Sequence, residues 1–317
     1  MSSGAHIVVF DRNAAVRKRI GRVLGAAGNL EEVAGYDLVV PEAFAGRPRL
    51  IGCNLEQLSA VTEVLADDLP FTQLLVWGTR DSRTFLSRSS SDRRYGRFVA
   101  WPEFASMPRP AELFLTASVL LSPSSGVALD GLVLAGAATR TFEPRTTDDL
   151  EETVQAVRDL SLQSGIVGRQ AERIAVAAHE LLMNAMYGAP TTSDGLPKYA
   201  HDRKQTIRLE RQEIPTVKVA TDGSRFGIEV SDPFGRLSRE HLFSGVARGL
   251  ASRDAGDVLD TSHGGAGIGL FKIFDAAHSV FIDVRHLRST RVTAVFDLDV
   301  TARDQRAMPT TLCWFED

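Results

Sequence analysis

The chain has 317 residues, 44 % of them hydrophobic and 24 % charged, which is long enough for two domains with packed cores. Its 36 Lys and Arg against 40 Asp and Glu give a formal net charge of -4, so no strong footprint for nucleic acid or an anionic membrane follows. The two cysteines, Cys53 and Cys313, lie far apart and without metal spacing, which points to a reducing compartment. No run approaches the ~18 apolar residues of a membrane span, and Met1 to Gly4 does not open a signal peptide, so a cytoplasmic location is expected.

In chain order, the apolar run His6 to Phe10, closed by Asp11, reads as a strand buried on both faces. Asn13 to Leu24 reads as a helix, with Val16, Ile20, Val23 and Leu24 on one face and Gly25 and Gly28 to end it. Further strand-like runs are Leu50-Ile51, Leu74 to Trp77 and Phe98 to Trp101. Helical segments are Leu55 to Leu65 and Ala111 to Leu121. Strands alternating with helices predict a doubly wound parallel sheet. The basic cluster Arg83, Arg88, Arg93, Arg94 and Arg97 reads as a solvated loop.

This order over residues 5–121 resembles the receiver domain of response regulators, and the stretch His6 to Arg17 carries the likeness best. A working receiver needs paired acids after its first strand, an Asp after its third and a Lys before a Pro after its fifth. Here Asp11 is followed by Arg12, the third strand ends in Asn54, and Trp101 replaces the Lys before Pro102. Two of the three acids that Mg²⁺ and phosphate chemistry require are missing. The resemblance therefore implies a pseudo-receiver, used for docking or dimerisation, with a degenerate site at Asp11, Asn54 and Trp101.

Ser122 to Gly126 is a turn-rich break. It divides the chain into a domain over 1–122, a linker over 123–126 and a second domain over 127–317. In the second, Val127 to Leu134 is an apolar run with strand character. Thr146 offers a capping hydroxyl before the helical stripe Leu150, Val154, Val157 and Leu160. A helix over Arg169 to Tyr187 buries Ile174, Ala178, Leu181 and Ala185, and puts Glu180 and Asn184 one turn apart on another face. A carboxamide there can ligate Mg²⁺ while the carboxylate takes a proton. Phe226, Ile228 and Val230 alternate with small or polar residues as in a strand that ends at Asp232-Pro-Phe-Gly235. Gly264 to Leu270 is glycine-rich and runs into an apolar helix, a place where backbone N–H groups can approach phosphate. Val280 to Val284 and Val292 to Phe296 read as a hairpin with Ser289-Thr290 in its turn. The run Thr191 to His201 looks inserted, and the tail Thr310 to Asp317 is assigned to no element.

Taken singly, each motif has an ordinary explanation: a solvated helix face, an Asp-Pro turn, a glycine that lets a helix pack. Their order, over about residues 127–300, resembles the Bergerat-type ATP-binding (GHKL) family, and within it the anti-sigma-factor serine kinases and histidine-kinase-like ATPases. The resemblance implies an α/β sandwich, a mixed sheet with helices on one face. It also implies ATP and Mg²⁺ as cofactors, Glu180 as general base and Asn184 as Mg²⁺ ligand. Asp232 would recognise adenine beside Gly235, and Gly265, Gly267, Gly269 and Leu270 would wrap the triphosphate. Residues from about Arg236 to His263 would form a mobile lid. The family's second motif is Asp-x-Gly-x-Gly, whereas Phe234, Gly235 and Arg236 stand here; Phe234 either stacks beside the base or fills the pocket. A regulatory protein partner of the sigma-factor or anti-anti-sigma kind and a homodimer are implied by the resemblance alone. Three functions remain open: a Ser/Thr kinase or switch, a nucleotide-loaded regulator without transfer, and an interaction scaffold with both sites degenerate.

Overall fold

A computed structural model describes residues 7–29, 32–65, 72–79, 83–90, 92–102, 105–122, 126–255, 268–298, 300 and 308–317. The protein is α/β and divides into two compact units. One is Met1–Val127 with Arg306–Cys313, and the other is Ala128–Gln305 with Trp314–Asp317.

The first unit has strands β1 (Ile7–Phe10), β2 (Val33–Tyr36), β3 (Leu50–Asn54), β4 (Gln73–Gly78) and β5 (Arg97–Ala100). They pair in parallel in the order β2-β1-β3-β4-β5, an order that doubly wound sheets take. Helices α1 (Ala14–Ala27), α2 (Leu58–Val64) and α3 (Arg83–Ser89) connect β1 to β2, β3 to β4 and β4 to β5, and α4 (Pro110–Leu121) follows β5. Asn13 caps α1 by accepting from the N–H groups of Ala15 and Val16. All four residues of β1 and of β5 are buried, as a strand covered on both faces requires. The basic cluster is not a solvated loop throughout: residues 83–89 are helical, and Arg97 is buried in β5. Leu312 and Cys313, from the C-terminal strand Thr311–Glu316, pair antiparallel with Phe98 and Arg97.

The second unit is built on an antiparallel sheet. Its strands are β6 (Ala138–Phe142), β7 (Thr216–Thr221), β8 (Arg225–Asp232), β9 (Ser279–Arg285) and β10 (Ser289–Asp297), paired in the order β9-β10-β8-β7-β6. Helices α5 (Thr147–Gln163), α6 (Gly168–Met183), α7 (Arg239–Ala255) and α8 (Ile268–Ala276) accompany it. Thr146 and Asp149 close a reciprocal capping box at the start of α5. Gly249 lets α7 approach α8, because a Cβ there would lie 2.0 Å from the Phe271 ring.

The expected strand over Val127 to Leu134 is a 3-10 turn, Leu129–Gly131. Its apolar residues are spent on a different contact. The Leu129 side chain sits on Gly227 of β8, where any Cβ would be 2.2 Å from its Cδ1. Ser289 and Thr290 likewise lie in β10 and not in the hairpin turn, which is formed by the residues after Arg285 with Leu287 at a φ of 54°. No helix among the described residues is long and apolar enough to cross a membrane.

Candidate functional site

The site in the second unit grows from α6. Ile174, Ala178, Leu181 and Ala185 are buried, which orients the helix and fixes where Glu180 and Asn184 project. At Asn184 the helix widens into a π-helical turn, Asn184–Gly188, closed by the Ala189 N–H on the Asn184 carbonyl at 2.9 Å. Such turns insert a residue and re-aim the chain, and they recur at functional sites. Tyr187 anchors this one: its hydroxyl donates to the Gln205 carbonyl at 2.8 Å and lies 2.9 Å from the Thr147 hydroxyl.

Asn184 and Gly188 then line a cavity of about 390 Å³, together with Asp232, Thr290, Leu270 and Arg203. That volume falls within the range of small-molecule sites. Asp232 ends β8, and Thr290 is its register partner on β10. Burial pushes the Asp232 carboxyl up to about 6, although the N–H groups of Phe234 and Gly235 and the neighbouring Thr290 pull the other way. The Phe234 N–H donates to Asp232 Oδ1 at 2.9 Å. Phe234 is not among the described residues of the cavity wall, so it does not fill the pocket. Gly235 has a φ of 64°, and a Cβ on it would lie 2.0 Å from the Arg285 carbonyl oxygen, so the turn after Asp232 requires glycine.

Glu180 is held differently. Lys272 of α8 donates to Glu180 Oε1 at 2.6 Å, and the Glu180 side chain is 12 % exposed. A Cβ on Gly269 would lie 2.5 Å from Glu180 Oε2, so Gly269 lets the start of α8 close on this carboxylate. Of the residues singled out in sequence, Asn184, Asp232 and Leu270 meet at the cavity, Gly235 forms the turn after Asp232, and Glu180 and Gly269 adjoin one another. Gly265 and Gly267, and the part of the expected lid over 256–263, lie outside the described residues. The described part of that lid is largely the helix α7. His179 faces Glu151 at 3.8 Å and is not part of the cavity wall. Thr290 and Arg203 carry no functional signal in the sequence: the pattern places one in a turn and the other just past an insert without periodicity.

At the end of β1 in the first unit, Asp11 is engaged by neighbouring side chains of the same unit. Asp11 Oδ2 accepts from the Trp77 indole N–H at 3.1 Å and from the Asn54 carboxamide at 3.3 Å, while Oδ1 accepts from the Asn13 N–H at 2.9 Å. Trp101 turns elsewhere and donates to the Ala105 carbonyl at 2.9 Å. Asp11 and Asn54 are thus brought together and Trp101 is not. Trp77 has a role with no local signal in the sequence: its buried ring lies over Gly52, where a Cβ would be 2.7 Å from Cζ3.

No protein-family model matches this chain, and no curated protein does. Among solved structures, one similar chain comes from the SiaB-SiaC complex of Pseudomonas aeruginosa. It is 14 % identical with a TM-score of 0.32, and the likeness covers 50 % of this chain and 88 % of that one. It is too slight to carry fold or function across.

Proposed function

We propose that the second unit binds ATP with Mg²⁺ in the cavity beside Asn184 and Asp232, and that the protein is a signalling regulator acting on a protein partner by Ser/Thr phosphorylation. The observation that carries this reading is the convergence of Asn184, Asp232 and Leu270, from three separate sequence motifs, on one cavity of about 390 Å³. The residues suit the cofactor. A nearly buried acceptor at Asp232 fits a planar base that offers an amine, and the Asn184 amide oxygen is a hard ligand of the kind Mg²⁺ takes. When bound, ATP would supply the phosphoryl group. Asn184 would hold the metal, Asp232 would orient the base, and Glu180 would accept the proton of the attacking hydroxyl after leaving Lys272. The first unit, with Asp11 saturated by Trp77 and Asn54, serves docking or dimerisation in this reading.

A second reading, a non-catalytic scaffold, is favoured by the ion pair that keeps Glu180 on Lys272 and off the cavity wall. Thermal unfolding with and without millimolar Mg-ATP, run beside Asn184→Ala, separates the two. At ~100 times its dissociation constant a ligand stabilises the native state by about 2.7 kcal/mol. The expected result is a raised midpoint that vanishes in Asn184→Ala; no shift in either protein favours the scaffold. Phosphate transfer to a partner is then expected to stop in Glu180→Gln.

A further inference from the structure

Residues 189–206, between the π-helical turn and the 3-10 turn Arg211–Glu213, form neither helix nor regular strand, yet they are tied at every level. An isolated bridge pairs Thr191 with Pro197. Inside it the Thr192 N–H meets the Leu196 carbonyl at 2.9 Å, around a tip where Gly195 has a φ of 79°. Lys198 clamps the base through Glu210 at 2.6 Å and Glu213 at 2.8 Å. At the tip, Arg236 Nη1 donates to the Gly195 carbonyl at 3.0 Å.

This segment also reaches the cavity, supplying Ala200 and Arg203 to its wall, while Arg236 and Ser238 come from the residues just before α7 and His241 from its first turn. Arg203 and Arg236 pair with no acid among the described residues. Burial, then the charges of Arg248 and Arg203, hold the His241 imidazole below its usual pKa. Ser238 accepts from the His241 N–H at 3.1 Å, as a helix cap does, so the positive end of α7 joins the two guanidinium groups. Among the described residues of the wall, Asp232 is the one acid. An occupant that suits this arrangement is anionic at the mouth.

We propose that residues 189–206 are a lid on the cavity, that Arg203 and Arg236 grip the phosphate chain of its occupant, and that the Arg236–Gly195 bond is the latch. The identity of the occupant rests on the nucleotide reading above; the sign of its charge does not. A guanidinium bond to phosphate is stronger than one to a neutral carbonyl, so phosphate draws Arg236 from Gly195 and frees the tip to move.

The test is calorimetric titration of the full chain with ATP, adenosine and inorganic tripolyphosphate. The proteins are the parent, Arg203→Ala, Arg236→Ala and the charge-keeping Arg203→Lys, each checked for its fold by circular dichroism. Each Ala variant is expected to weaken ATP roughly 10-fold or more and to leave adenosine unchanged, with Arg203→Lys close to the parent. Equal ATP affinity in parent and Ala variants overturns the grip, and so does an equal loss for adenosine and ATP. A parent that binds tripolyphosphate, but not adenosine, with the loss in the Ala variants upholds the grip and removes the nucleotide reading. A parent that binds none of the three overturns both.

Discussion

Asp232 ends its strand with the carboxyl largely withdrawn from water, and its titration is displaced accordingly. An unfolded Asp titrates near ~3.9, whereas burial raises this one to about 6. The native state therefore binds more protons than the unfolded chain between those values, and stability falls as pH rises through that window. Above it the loss is complete, at most about 3 kcal/mol. Asp232→Asn removes the titrating group, so urea unfolding is expected to show the variant more stable than the parent near about pH 7 and equal to it near about pH 4. A difference that does not change with pH would mean that the acid titrates normally. In the reading proposed above, ligand binding has the opposite sign, because the ionised carboxylate is a stronger acceptor than the protonated acid.

At the scale of elements, the turn after β8 and the hairpin β9–β10 are locked into one another. The Leu287 N–H donates to the Gly235 carbonyl at 3.2 Å, and the Arg288 N–H to that of Arg285 at 2.8 Å. A methyl on Gly235 would meet backbone atoms of Arg285, Leu287 and Arg288 within 2.9 Å, and backbone cannot swing aside as a side-chain tip can. Gly235→Ala is expected to cost about 3 kcal/mol or more. Gly165→Ala, at a φ of 85° with nothing within 4 Å, is expected to cost only the ~1–2 kcal/mol of left-handed backbone strain. Equal losses by chemical denaturation would place the effect in backbone strain and not in the lock. Elements with a local signal were legible in sequence: the capped α5, the alternating β8, the buried runs of β1, β3 and β4. The edge strand β6 was not, because Ala138 to Thr141 are exposed and carry no buried face to set a period. Thr290 was missed for a related reason, since its pairing with Asp232 is a matter of register between strands. Trp77 was legible only as an apolar strand residue, because its hydrogen bond to Asp11 spans 66 positions.

At the scale of the molecule, the C-terminal strand belongs to both units, Thr311 to Cys313 with the first and Trp314 onward with the second. In the first unit Thr311 donates to Glu112 and accepts from the Ala100 N–H at 2.9 Å, and the Cys313 thiol lies 3.5 Å from the Thr116 hydroxyl. Cys313 is fully buried, and burial above all pushes its thiol up to about 12, which leaves it unreactive near neutrality. In the second unit the Trp314 ring packs 6.3 Å from that of Phe243 on α7. Truncating a buried Trp costs about 3–5 kcal/mol where the surroundings do not collapse. Trp314 and Cys313 are neighbours in one strand, so Trp314→Ala is expected to expose Cys313 as well. With Cys53→Ser as background, modification of Cys313 by a thiol reagent should be at least roughly tenfold faster in Trp314→Ala, as a local opening made easier by more than about 1.4 kcal/mol requires. Labelling as slow as in the parent, with the second unit destabilised, would show that Thr311 to Cys313 are held by the first unit alone.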